Sequence, residues 1–224
     1  MNIYPKINGN VAEWDMIVMG HLKVNPYFGE SYDSPPRGDP STCSSVMIRG
    51  LDEAGRPYVL IVDPTVRLAP EDYYFDINRR TGLHKEDVTH CFVTHHHSDH
   101  YEALSYFPGT RWLAAPPVAD ILRKEAVKID ASAIAGVSGE FLPGVSTVFL
   151  PGHTGTLHGV AFMCQGKKIL IAADAVMSRH HFIHETTDFQ PDPDMNKTAA
   201  QTIRSIKESF DIVVPGHDNI VIIK

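Results

Sequence analysis

The stretch Thr94-His95-His96-His97-Ser98-Asp99-His100 decides how the rest of this chain reads. It follows an apolar run, Val88–Thr94, that reads as a strand. Four imidazoles and one carboxylate then fall within six positions. On an extended exit from a strand, alternate side chains share a side, so His95 and His97 point together while His96 points away. Asp99 and His100 follow at the start of the next turn. A loop of this kind can serve two metal ions through separate ligand pairs.

Three further segments repeat the form of a strand end followed by a metal-binding residue type. They are Leu150-Pro151-Gly152-His153, Ala172-Ala173-Asp174 and Pro215-Gly216-His217. Neutral imidazole and carboxylate together suit Zn²⁺, and also Fe or Mn. Five histidines and two aspartates exceed the need of one four-coordinate ion. They match two divalent ions sharing a carboxylate and a water, with Zn²⁺ the expected metal.

The ordered pattern His-x-His-x-Asp-His, Gly-His, Asp, Gly-His resembles the metallo-β-lactamase superfamily, over the span from Asp63 to His217. The resemblance implies an α/β fold, an αββα sandwich of four layers with metals at one edge of the sheets. Carried over residue by residue, it implies that His95, His97 and His153 hold one metal. Asp99, His100 and His217 would hold the second, with Asp174 bridging. Asp63, ending its strand, matches an aspartate that supports the metal loops. Two such ions about 3.5–4 Å apart acidify a water between them and polarise a carbonyl or phosphoryl oxygen. Asp99 is the candidate catalytic residue, orienting the nucleophile or relaying its proton.

Asp174 narrows the resemblance. True β-lactamases of this kind place Cys or Ser near that slot, so Asp174 is similar instead to the lactonase, glyoxalase II and phosphodiesterase branches. Glyoxalase II adds a C-terminal helical region, and the few residues after His217 do not supply one. The compact layout is most similar to small single-domain members: lactonase-like hydrolases and the group around metallo-β-lactamase-domain-containing protein one, for which a nuclease role is known. The Val213–His217 ending, Val-Val-Pro-Gly-His, leans toward that last group.

Composition frames this reading. The chain has 224 residues, 43% hydrophobic and 21% charged, enough for one substantial core and too apolar for disorder. No linker, repeat or low-complexity stretch appears, so residues 1–224 read as one domain. The net charge of −7 repels nucleic-acid backbones at long range and points to a small-molecule substrate. Bound divalent metals would reverse that sign locally, so nucleic acid is disfavoured rather than ruled out. Cys43, Cys91 and Cys164 are few, odd in number and far apart, which suggests a reducing cytoplasm; Cys91 and Cys164 read as core residues. Neither a signal peptide nor a membrane-spanning run is expected. A homodimer is left open.

Along the chain, strands are expected at Met16–Val24, Val46–Arg49, Tyr58–Val62, Arg111–Ala115, Thr147–Leu150, Val160–Cys164, Lys168–Ala173 and Ile212–Val214. Helices are expected at Glu71–Arg80, stopped by Gly82, and at Glu102–Phe107, Pro117–Glu125 and Lys197–Phe210. Asn196 or Asp194 is the expected cap of the last. A long Pro/Gly-rich loop, Asn25–Cys43, carries Tyr27, Phe28 and Tyr32, candidates for a substrate wall. Arg179, His180, His181 and His184 follow Asp174 and are further substrate-binding candidates. His158, five residues after His153, is a candidate to support a metal-binding side chain from behind.

The leading expectation is a dinuclear hydrolase of a small ester, lactone or thioester. A phosphodiesterase or ribonuclease would use the same metals. A mononuclear iron oxidoreductase similar to persulfide dioxygenases would use two histidines and one aspartate. A non-catalytic metal-binding module is the fourth reading.

Overall fold

The computed structural model describes residues 11–24, 29–30, 41–67, 69–186 and 192–224. The expected wall residues Tyr27, Phe28 and Tyr32 lie outside them.

Among the described residues, twelve strands form two six-stranded sheets. The first contains β1 (Val11–Val18), β2 (Ser45–Leu51), β3 (Pro57–Val62), β4 (His90–Val93), β5 (Arg111–Ala114) and β6 (Ala135–Gly136), neighbours in that order. The second runs β12 (Val221–Ile222), β11 (Ile212–Pro215), β10 (Lys167–Ala173), β9 (His158–Cys164), β8 (Val145–Phe149) and β7 (Glu140–Leu142). β1 to β3 pair antiparallel and β3 to β6 parallel. β7 to β10 pair antiparallel, β10 with β11 parallel, and β11 with β12 antiparallel. The helices are α1 (Pro70–Thr81), α2 (Ser98–Tyr101), α3 (Pro116–Glu125), α4 (Arg179–His184) and α5 (Pro193–Ser209).

The period-2 alternation of strand side chains sorts the core into three apolar layers. Leu60, Val62 and Phe92 of the first sheet face Val160, Phe162, Ile169 and Ile171 of the second. The alternate positions Val59, Ile61, Cys91 and Val93 turn outward onto Tyr73 and Ile77 of α1 and Val118 and Leu122 of α3. On the other sheet, Ala161, Leu170 and Ala172 turn onto Ile203 and Ile206 of α5 and Phe182 of α4. Helices therefore cover both outer faces, the αββα arrangement expected. Because these strands are buried on both sides, they read as nearly unbroken apolar runs. Phe162, fully buried and edge-on to Trp14, fills the space between the sheets. Phe162→Ala is expected to cost about 3–5 kcal/mol, read as a shifted urea midpoint.

Several boundaries differ from the sequence expectation. The first strand is Val11–Val18, not Met16–Val24. Its pairing with β2 ends at Val18↔Ser45, and a Cβ on Gly20 would press into the main chain of Thr42, Ser44 and Gly216. The chain there must leave the ladder. The last helix starts at Pro193, and its cap is Asp192, whose carboxylate accepts from the Asp194 N–H, rather than Asp194 or Asn196. Proline at the first helical position carries no N–H needing a partner, which favours that earlier start. The segment after Asp99 splits into α2 and a 3-10 turn, Glu102–Tyr106. β6, β12 and α4 are too short to leave a periodic signal. Gly82 ends α1 in the left-handed conformation, φ 72°, as its residue type suggested. Among the described residues, no helix is long and apolar enough to cross a membrane.

β3, β4, β8, β10 and β11 end in Asp63, Thr94-His95, the Gly152-His153 turn, Asp174 and Gly216-His217 respectively. Within each sheet these strands run parallel to one another, so their carboxyl ends lie along one edge of the sandwich.

Candidate metal centre

Two groups of side chains meet at that edge: His95, His97, His153 and Asp174, and beside them Asp99, His100 and His217. Within each group the ligand-type atoms all lie within 4.8 Å of one another. Asp174 faces both. Its Oδ2 stands 3.3 Å from His153 Nε2 and 3.8 Å from His95 Nε2. Its Oδ1 stands 3.3 Å from His100 Nε2 and 3.2 Å from His217 Nε2. Asp99 Oδ2 closes the second group at 3.7 Å from His217 Nε2 and 3.9 Å from His100 Nε2. His97 Nδ1 lies 2.9 Å from His153 Nε2. Ligand atoms about 2.0–2.1 Å from a tetrahedral zinc stand roughly 3.3–3.4 Å apart, close to the spacing around Asp174.

The ring orientations follow from one buried carboxylate. Asp63 ends β3 in the left-handed region, φ 50°, anchored by its N–H to Phe92 O at 2.9 Å. Its Oδ1 accepts from Thr94 N at 2.8 Å. Its Oδ2 accepts from Thr94 Oγ1 at 2.7 Å and from His100 Nδ1 at 2.9 Å. An ionised carboxylate only accepts, so the Thr94 hydroxyl is committed as donor and receives the Nδ1–H of His95, 3.1 Å away. His217 Nδ1 donates to Thr42 O at 3.0 Å. All three rings make their outer contact through Nδ1, which turns Nε2 inward.

That convergence needs a cation. His95 Nε2, His100 Nε2 and Asp174 Oδ1 are buried without a hydrogen-bond partner of acceptable geometry. Lone pairs on imidazole and carboxylate that face each other repel unless positive charge lies between them. Burial pushes the pKa of His95 well down, lowers that of His97, and brings His153 to about 4, so this trio is held in the neutral, ligand-ready form. Burial also opposes charge on His100 and His217. For His100, Cys43 and then the carboxylates of Asp174, Asp63 and Asp99 outweigh it and hold its pKa well up; for His217, Asp174 and Asp99 raise it. Burial would raise Asp174, yet His217, His100 and His153 hold it well below the usual carboxylate range. The field therefore attracts either protons or a metal ion, and metal binding displaces the protons. The residues present fit divalent ions in both groups.

Backbone geometry seats Asp174. Ala173 is turned to φ 47°, ψ −136°, a conformation that costs a residue with a Cβ about 1–3 kcal/mol. Gly216 N–H donates to Ala173 O at 2.9 Å and Val176 O at 3.0 Å, cinching the ends of β10 and β11 together. No room remains on Gly216 for a side chain, because a Cβ there would overlap the Asp174 carboxylate.

The other candidates take different places. His96 joins neither group. His158 bonds through Nδ1 to Thr156 O at 2.8 Å and tilts against Phe149. Arg179 donates through its main chain to Asp218 Oδ2 at 2.9 Å and through its guanidinium to Ile220 O at 2.8 Å, holding the segment after His217. His181 is fully buried with Nδ1 2.7 Å from Ser178 Oγ, so it offers no wall to a substrate; α4 turns it inward beside Phe182. His184 is exposed and His180 partly so.

Sequence reasoning passed over Thr94, Thr42 and Cys43. Thr94 was detectable, since it directly precedes the histidine run. Thr42 acts through its carbonyl, which carries no residue signature. Cys43 is buried with its thiol donating to Asp99 O at 3.0 Å, and burial pushes its pKa to about 11. Thr94→Val removes the link between Asp63 and His95, while Thr94→Ser keeps it. We expect the valine variant to bind metal about 10–100-fold more weakly and the serine variant to stay near wild type. A chelator competition assay measures this, and equal affinities would refute the relay.

A family model described as the metallo-beta-lactamase superfamily matches residues 38–217. The chain belongs to this superfamily. No curated protein sequence matches it. Solved structures share its fold at low identity. A candidate metallo-β-lactamase from Thermotoga maritima is 16% identical, with TM-score 0.66, over 95% of this chain and 99% of that one. A quorum-quenching N-acyl homoserine lactone lactonase is 16% identical, with TM-score 0.65, over 96% and 94%. The hydrolase AbOPH is 14% identical, with TM-score 0.62, over 94% and 86%. At such identities the likeness is one of fold. The metallo-β-lactamase architecture and the clustered His/Asp groups together agree with the resemblance read from the histidine motif.

Proposed function

We propose that this protein is a dinuclear metal-dependent hydrolase acting on a small ester, lactone or thioester. The observation that carries the reading is Asp174, whose Oδ2 stands near His95 and His153, whose Oδ1 stands near His100, and whose two oxygens lie 3.2 and 3.3 Å from His217 Nε2. In this reading His95, His97 and His153 hold one ion, Asp99, His100 and His217 the second, and Asp174 both. Divalent ions, Zn²⁺ by the chemistry of the donors, supply a water acidified toward neutral pH and a Lewis acid for the substrate carbonyl.

The chain's own groups do the rest. Asp63 and Thr94 hold the outer nitrogens of His100 and His95, so that the Nε2 atoms of both rings face the centre. Asp99, whose side chain is 27% exposed while Asp174 is 4% exposed, is the carboxylate that can exchange a proton with solvent or a leaving group. Thr42 O fixes the ring of His217.

Support for an acyl substrate comes from the fold neighbours. One is an N-acyl homoserine lactone hydrolase with its product, N-hexanoyl-L-homoserine, bound at the catalytic metal center. The net charge of −7 also disfavours a long polyanion. The test is metal analysis of the purified protein, then a panel of lactones, thioesters and bis-para-nitrophenyl phosphate beside an RNA-binding titration at about 150 mM salt. Two metals per chain and turnover of at least one acyl substrate are expected. Tight, salt-sensitive RNA binding with a silent acyl panel would promote the nuclease reading. A single iron would promote the oxidoreductase.

A further inference from the structure

α4 carries a second concentration of histidine, apart from the candidate centre. His180 and His184 stand four residues apart on this helix, a spacing that puts two side chains on one face. Their ring centroids are 4.5 Å apart and the rings are tilted by 47°. His181, one position on and about 100° further round the helix, is buried against Ser178. Glu185 ends the helix in the left-handed conformation and is held by Arg204 at 2.6 Å and Lys207 at 2.8 Å. Arg204 and Lys207 are thus committed to Glu185, Arg179 donates to Ile220 O, and Lys207 also lies over the ring of Phe182.

We propose that His180 and His184 form a further divalent-metal site, chelating a borderline transition ion such as Zn²⁺, Ni²⁺ or Cu²⁺ through two imidazole nitrogens. The physical basis is the one that lets two histidines at i and i+4 on a helix share a zinc. An ion about 2.0–2.1 Å from each nitrogen needs them roughly 3–3.4 Å apart. Rings at 4.5 Å reach that separation by rotation about their own side-chain bonds. Solvent exposure of His184 leaves the remaining coordination positions to water. Imidazole selects transition ions over Mg²⁺ and Ca²⁺, which prefer oxygen. With two protein ligands and an open face, the site is weaker than the candidate centre and exchanges its ion with solvent. It is independent of the hydrolase reading, since none of the seven clustered ligands takes part.

The experiment counts zinc after equilibrium dialysis of the full chain against buffered free Zn²⁺ at pH 7.5, for wild type, the His180→Ala/His184→Ala double variant and His184→Gln. Helical content by circular dichroism confirms folding. The wild type is expected to hold one equivalent more than either variant, and the affinity of that last equivalent should fall by roughly tenfold or more when one nitrogen is removed. Because the reading is a difference between proteins, it stands whether the candidate centre holds one ion or two. His184 is exposed, so His184→Gln keeps the test valid should the double variant fold poorly. Equal zinc counts in wild type and His184→Gln, or no equivalent beyond those of the candidate centre in wild type, would overturn the proposal. Mg²⁺ in place of Zn²⁺ is expected to show no difference; an extra Mg²⁺ equivalent in wild type would also overturn it.

Discussion

Asp174→Ala is expected to bring the metal content from two equivalents per chain to one or none. Turnover should fall by more than the roughly 100-fold that losing an outer-shell partner can cost. The reason is the position of this carboxylate between Nε2 atoms of four histidines, at 3.2–3.8 Å. Removing it strips a ligand from both groups at once and leaves His95 and His153 buried around a vacated volume. Among the described residues the other carboxylates are placed differently: Asp99 stands 3.9 Å from His100 and 3.7 Å from His217, and Asp63 is spent on Thr94 and on the outer nitrogen of His100. Elemental analysis and activity on the best panel substrate measure the two effects. Retention of both metals with turnover within about tenfold would mean that Asp174 bridges nothing. Asp174→Asn adds a finer reading. The amide keeps the shape and loses the charge, so shape alone would rescue it only if the charge were irrelevant to metal capture.

Gly216→Ala is expected to nearly match that loss without touching any ligand. The added methyl would overlap Asp174 Oδ1, and Gly216 cannot retreat because its N–H is held by Ala173 O and Val176 O. The soft coordinate is the Asp174 side chain, which must swing away and take one oxygen from each group. The variant should fold, bind metal poorly and turn over slowly. Gly152 offers the contrast. It lies at φ 135°, and a Cβ there would strike the backbone of Ala199 on α5. Gly152→Ala must therefore displace a helix, and its effect should appear first as a lowered melting temperature. Thermal melts and metal content on both variants separate the cases. Full metal content in Gly216→Ala would show that the site has more slack than its packing indicates.

The ligand inventory was legible because its signal is local. An apolar run that ends in His95-His96-His97-Ser98-Asp99-His100 announces a strand feeding a cluster of donors, and Gly-His and Ala-Asp at other strand ends repeat the form. The alternation of Leu60 and Val62 with Val59 and Ile61 carries no polar mark, because both faces of the strand are buried, one by the other sheet and one by helices. Two-sided burial was readable; which side met which layer was not. α4 is too short for periodicity, so the burial of His181 and the exposure of His184 appeared only when the turn was built.

By itself, the sequence determined which residues could bind metal and that they sit at strand ends or, for Asp99 and His100, in the turn that follows one, since residue type and local chain direction need no partner. Tertiary structure decided how they combine. The parallel course of β3 with β4 and of β10 with β11 brings four strand ends to one edge, over separations in sequence that no local pattern spans. Asp63 orients two rings because Thr94 stands between it and His95, and His217 is held by a main-chain carbonyl that any residue at position 42 could supply. Gly216 is glycine because of a carboxylate 42 positions earlier. These constraints are steric and electrostatic contacts between distant segments, and they exist only once the two sheets have packed.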